Sequence, residues 1–151
     1  MTTRTATPAR FALKATTSTG YAPIHGDTRY DLPTKNADGS WTAGEWHRVE
    51  AGSVEYRRHG SHVCMPSQLP YWAQLIRRVR PGLRTRVWVV EYRGQVSIGA
   101  NGFAAREVRL LRPYVRGATL CAPASRPRPP PAAVRPRRLR GRREAPASGR
   151  R

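Results

Sequence analysis

Residues 85–93 read TRVWVVEYR, and this stretch decides the fold. Val87, Trp88, Val89 and Val90 are β-branched or aromatic, side chains that pack well on a pleated surface and lose rotamer freedom in a helix. The run 87–90 is the longest apolar one in the chain, far short of the ~20 residues that span a bilayer. It therefore predicts a central strand of a folded domain, not a membrane segment.

Working outward, 68–78 carries Leu69, Trp72, Leu75 and Ile76, with Val79 just beyond, at three- and four-residue spacing. That spacing gives one apolar helical face. Ser67 is placed to cap this helix, Pro70 is tolerated in its first turn, and Pro81-Gly82 ends it. After the central strand, Gly94 is expected to turn the chain into 95–98, and Gly99 and Gly102 bracket another turn. In 103–111, FAAREVRLL, alanine and glutamate favour helix, but alternation leading into Pro113 favours strand, which we assign. At the N-terminal end, 10–16 (RFALKAT) alternates, with Phe11, Leu13 and Ala15 on one side, as in a half-buried strand. Short strands are expected at 29–32, near Trp46 and Val49, and at 53–57, with a tight reversal at Asp38-Gly39. Together these predict an α+β fold, a small, mostly antiparallel sheet with one main packed helix. Residues 9–116 form the domain, 1–8 a frayed terminus, and 117–151 a disordered arginine- and proline-rich tail with extended geometry around 127–131.

Charge is the strongest compositional signal. The chain has 28 Lys+Arg against 9 Asp+Glu, a net charge of +19, divided as +10 on 1–116 and +9 on 117–151. A GC-rich genome accounts for 26 arginines against two lysines, Lys14 and Lys35, but not for so few acids. A field of this sign concentrates polyanions, nucleic acid before all. Arg57, Arg58, Arg77, Arg78, Arg80 and Arg84 are the candidate phosphate contacts, with tryptophans and tyrosines available to stack on unpaired bases. Trp72 and Trp88 are instead candidates for the core. No helix-turn-helix, RNP motif or zinc finger is present, so DNA or RNA binding without sequence preference is the expectation.

Cys64 and Cys121 do not make a disulfide framework and are read as reduced thiols. The first ten residues lack the apolar core of a signal peptide, which points to a cytoplasmic protein. The densest chemically capable segment is 55–64, EYRRHGSHVC, with His59, His62 and Cys64. Its spacing completes no zinc site, so no metal or cofactor is expected. A second reading makes Cys64 a nucleophile activated by His62 or by the following helix, with Glu91 as a convergent carboxylate. A third is a protein-interaction module acting on a host partner, which an exposed apolar patch would favour.

Two resemblances attach to this segment. His59-Gly60-Ser61 is similar to the H-G-[ST] strand of ADP-ribosyltransferases, which implies nicotinamide binding and a catalytic Glu91 or Glu107. More broadly, Ala12-Leu13-Lys14-Ala15, Gly44-Glu45-Trp46, the set Arg58, Gly60, His62 and Cys64, then Pro66, Leu69 and Trp72, Glu91 to Gly94, and 105–111 resemble a family of small domains of phages and actinobacteria. That family carries a C-R-x-G-[LF]-H-x-C motif. Arg57 stands where the family often has its first Cys and Ser61 where it has Leu or Phe. The resemblance implies an architecture and a phage or actinobacterial setting, and no activity.

Overall fold

The computed structural model describes residues 8–24, 27–50 and 52–120. Its frame is a hairpin of two long strands, β6 (Thr85–Gly99) and β7 (Gly102–Pro113), joined across Gly99 and Gly102. The apolar run at 87–90 sits in the first half of β6, and Val89 and Val90 are completely buried. β1 (Arg10–Thr17) lies antiparallel on β6, with Ala12 opposite Val90 and Lys14 opposite Trp88. The far edge of β7 is covered piecewise. β5 (Ser61–Val63) pairs with 103–105 and β4 (His47–Arg48) with Val108 and Glu107, and the N–H of Gly44 donates to the Leu110 carbonyl at 2.9 Å. A separate two-stranded ribbon joins β2 (Thr34–Lys35) and β3 (Trp41–Thr42) around the expected Asp38-Gly39 reversal.

The sheet curls until its edges meet. Leu13 and Cys64 exchange both backbone hydrogen bonds, at 2.8 and 2.9 Å, and Cys64 directly follows β5. The hydrogen-bonded path β1–β6–β7–β5 thus returns to β1, leaving little unpaired edge to recruit another chain. Cores fill both sides. One is built on Ala12, Trp88, Val90, Phe103, Val108 and Leu110 under Tyr30 and Trp41. The other is built on Leu13, Cys64, Val89 and Leu111 under Leu69, Trp72, Tyr114 and Leu120. Trp88 is core as expected, and its Nε1–H donates to Thr16 Oγ1 at 2.9 Å.

A 3₁₀ turn (Pro66–Gln68) leads into α1 (Leu69–Val79). The expected α+β class therefore holds: a small, mostly antiparallel sheet with one helix. Among the described residues no helix is long and apolar enough to cross a membrane.

Several local expectations are corrected. Ser67 does not cap the helix; instead the Gln68 side chain reaches back to accept the Met65 N–H at 2.9 Å. Val79, counted on the apolar face, is 49 % exposed at the last residue of the helix, where no later turn covers it. Gly94 makes no turn. Its φ of 79° sits at a register shift between Arg93 and Val96, so the extra residue is absorbed as a bulge and β6 continues to Gly99. No strand forms at 53–57; the chain makes a tight turn over 55–59 instead, closed by Glu55 and His59, with Arg57 at φ 66°. Residues 29–32 contribute only a bridge from Arg29 to Tyr21. The described chain also runs past residue 116: Leu120 packs on the second core, and the Thr119 carbonyl accepts from Arg112 at 3.4 Å. Residues 1–7, the rest of the tail and Cys121 lie outside the described residues.

Candidate functional site

β1 is the element whose burial the alternation of its sequence hid. Phe11, Leu13 and Ala15 were expected to face in, yet the opposite side, Ala12, Lys14 and Thr16, is the more deeply buried. Lys14 is only 6 % exposed. Its Nζ donates to the His62 carbonyl at 2.7 Å and stands 4.5 Å from the centre of the Tyr30 ring. Among the described residues no carboxylate lies within 4 Å of it. An ammonium taken out of water normally has a carboxylate partner, because desolvation costs several kcal/mol per ion.

Beside Lys14 a half-open cavity of about 620 Å³ lies beyond the Leu13–Cys64 bridge, between residues 22–24, Thr28 and Tyr30 on one side and α1 on the other. Its polar lining includes Lys14, His47, Arg57, Arg58, His59 and His62 with the hydroxyls of Thr28, Tyr30 and Tyr71, and among the described residues none that line it is acidic. Leu69, Trp72, Leu75 and Ile76 of α1 supply the apolar wall. Lys14 acts on its neighbours through the low dielectric of the site. Burial, and after it the Lys14 charge, hold the His47 imidazole below its ordinary pKa. Burial pushes the Cys64 thiol up to about 11, with Lys14 opposing that shift only in part.

The structure places the 55–64 segment residue by residue. His59, His62 and Cys64 all line this one cavity. His62 Nε2 already accepts the Arg57 N–H at 2.8 Å, which leaves that nitrogen engaged. Cys64 is 4 % exposed and, with its raised pKa, a thiol rather than a thiolate at neutral pH. Glu91 does not join them. It accepts from Arg109 at 2.6 Å, and Glu107 is paired with Arg93 at 2.9 Å. Arg93 and Arg109 both lie over the Trp46 ring, at 3.9 and 4.8 Å. Ser61 of the His-Gly-Ser tripeptide is buried and hydrogen-bonded to the Tyr30 hydroxyl at 3.0 Å. Gly60 has φ 132°, and a Cβ there would meet Val54 at 2.9 Å and Ala104 at 3.0 Å, so this glycine lets the chain press onto β7. Among the described residues no three His, Cys, Asp or Glu side chains are grouped to hold a metal ion.

The candidate arginines divide into two groups. Arg57 donates to the Tyr71 hydroxyl at 2.9 Å and Arg58 pairs with Glu55 at 3.4 Å, both on the cavity wall. Arg77, Arg78, Arg80 and Arg84 follow one another through the last turn of α1 and the loop after it, all exposed, and Arg86 continues the series at the start of β6. Among the described residues Arg77, Arg78, Arg84 and Arg86 have no carboxylate within 4 Å. The C-terminal segment returns to this end, the Tyr114 N–H donating to the Val87 carbonyl at 2.9 Å.

Sequence reasoning gave no site role to Lys14 or Tyr30, and noted His47 only as a histidine upstream of the 55–64 segment. One signal for Lys14 was available: a chain with 26 arginines and two lysines places a lysine inside its first strand. A compact ammonium fits a buried position that a guanidinium fork does not. No protein-family model, curated protein or solved structure matches the chain.

Proposed function

We propose that the protein binds nucleic acid without sequence preference, through the arginines of the α1–β6 end together with the arginine-rich tail. The observation that carries this reading is the run Arg77, Arg78, Arg84 and Arg86, exposed and without acidic partners among the described residues. Such guanidinium groups release counterions when they meet phosphates, which gives affinity independent of base sequence and steeply dependent on salt. Phosphate contact dominates over stacking here. Trp88 is buried, Trp46 is held under two arginines, and Tyr21, the exposed aromatic of the described residues at 38 %, has Arg29 beside it. Duplex and single strands are therefore expected to bind with similar affinity.

Fluorescence anisotropy against single- and double-stranded DNA and RNA at two salt concentrations tests this. The full chain and a chain ending at Leu120 are both expected to bind, the shorter one with a shallower salt slope. A shorter chain that binds nothing at low salt overturns the assignment to the folded surface. An unchanged slope overturns the role of the tail.

A further inference from the structure

We propose that the cavity between β1 and α1 is a binding site for a small organic monocarboxylate with an apolar body, and that Lys14 is its counter-charge. Three observations converge on one place. The cavity, at about 620 Å³, falls inside the roughly 300–1,000 Å³ range of small-molecule sites. Among the described residues its polar lining is entirely basic or neutral. At its floor stands a buried ammonium with one hydrogen-bond acceptor, the His62 carbonyl, out of the three it is able to serve.

The backbone adds a donor. In antiparallel pairing, successive residues turn their peptide groups to opposite edges. Leu13 faces the free edge of β1, where it bonds Cys64, so Ala15 turns its N–H and C=O to the same edge, beyond the bridge and on the cavity wall. A carboxylate beside Lys14 thus meets a charged donor and a peptide N–H together. The apolar body would lie against Leu69, Leu75 and Ile76, with Trp72 as an aromatic wall. A monoanion fits better than a phosphate dianion. Among the described lining residues Lys14 is the buried cation, while Arg57 and Arg58 are exposed, Arg58 paired with Glu55 and Arg57 hydrogen-bonded to the Tyr71 hydroxyl.

Isothermal titration of the full chain with benzoate and 1-naphthoate, each beside its neutral amide, tests the site. The acids are expected to bind about tenfold or more tighter than the amides, the worth of one charge-assisted hydrogen bond. Lys14→Met removes that preference and leaves amide affinity within about twofold. Charge reversal of Arg77, Arg78, Arg84 and Arg86 leaves naphthoate binding unchanged. The proposal is overturned if acid and amide bind equally, if no acid binds, or if phenyl phosphate is preferred to benzoate. It also falls if the acid's affinity survives Lys14→Met or is lost with the surface arginines. Should Lys14→Met fail to melt cooperatively, Leu75→Trp takes its place by filling the apolar wall, and acid binding that survives it is equally fatal.

Discussion

Positive charge is handled in opposite ways at the α1–β6 end and on the buried side of β1. At the first, Arg77, Arg78, Arg84 and Arg86 are exposed and have no acidic partner among the described residues, Arg86 lying 5.3 Å from the Trp88 ring centre. Solvent screens them from one another, so they cost the fold little and remain available to an outside polyanion. At the second, Lys14 is buried against Tyr30 and the His62 carbonyl beside the cavity, and its field reaches His47 and Cys64. Between these extremes lie Arg93 and Arg109, each paired with a glutamate and stacked on Trp46. Net charge is therefore a poor guide to where a ligand binds. What distinguishes the regions is how much water and how many carboxylates each cation has around it.

The sharpest way to break this contrast is to reverse the outer charges. Replacing Arg77, Arg78, Arg84 and Arg86 by glutamate is expected to weaken nucleic-acid binding on the order of 100-fold at low salt and to reduce the salt slope by about 3–4. Thermal stability should stay nearly unchanged. A comparable loss of stability would mean that these arginines belong to the fold, and the distinction would collapse.

Next in size is the chemistry of Cys64. With its pKa near 11, its thiolate fraction at pH 8 is about 100-fold below that of an ordinary thiol. In a Cys121→Ser background, iodoacetamide is expected to modify the native protein at least that much more slowly than the urea-unfolded chain. The raised pKa contributes stability that is complete below about pH 9 and is lost as pH rises toward 11. Rapid native labelling at pH 8 would show the site to be open and polarised, contrary to the burial described.

A smaller effect separates the paired arginines from the free ones. Trp46→Ala removes the ring under Arg93 and Arg109 and is expected to cost about 1–3 kcal/mol, read by urea denaturation. Nucleic-acid affinity should remain within about twofold. If Trp46→Ala instead reduces binding as charge reversal does, the Trp46 region is part of the interface.

The smallest effect concerns His47. Its folded-state pKa lies below the ordinary 6.5, so the unfolded chain takes up the proton more readily. Stability from this group is complete above about 6.5 and declines as pH falls through and below that value. His47→Gln is expected to flatten the fall in melting temperature between about pH 7 and 5 relative to the parent chain, which retains the other histidines. Parallel curves for the two proteins would place His47 in a wetter setting than the one seen.

Which parts of this could be read in the chain follows from where the determining contacts lie. β6 was legible because Val87 to Val90 cannot sit comfortably in anything but a buried strand, and α1 because its apolar spacing is intact. The strand expected near Trp46 and Val49 is β4, whereas β5 is three residues long and fixed by pairing to a β7 far along the chain, so no local pattern marks it. Gly94 has the same letter in a turn and in a bulge; the partner strand decides between them. The segment around His59 to Cys64 drew attention through residue type alone. The charge that dominates its surroundings, Lys14, comes from a strand 48 residues earlier than His62, its hydrogen-bond partner.

The bridge between Leu13 and Cys64 also bears on how the molecule is made. A chain synthesised from its N-terminus produces β1 first, then β5, then α1, and only afterwards β6, the strand against which β1 is paired along its whole length. Until then β1 offers its buried face, Ala12 to Thr16, to whatever is nearest, and in a crowded cell that invites trapping by other chains. Before β6 is made, the long-range partners available to it are Cys64 and the His62 carbonyl that accepts from Lys14, and so few hydrogen bonds are too little to fix a strand at a loop cost of that length. The β6–β7 hairpin, local and valine-rich, is thus the template, and closing the ring on Leu13 becomes the late, order-setting event of biogenesis.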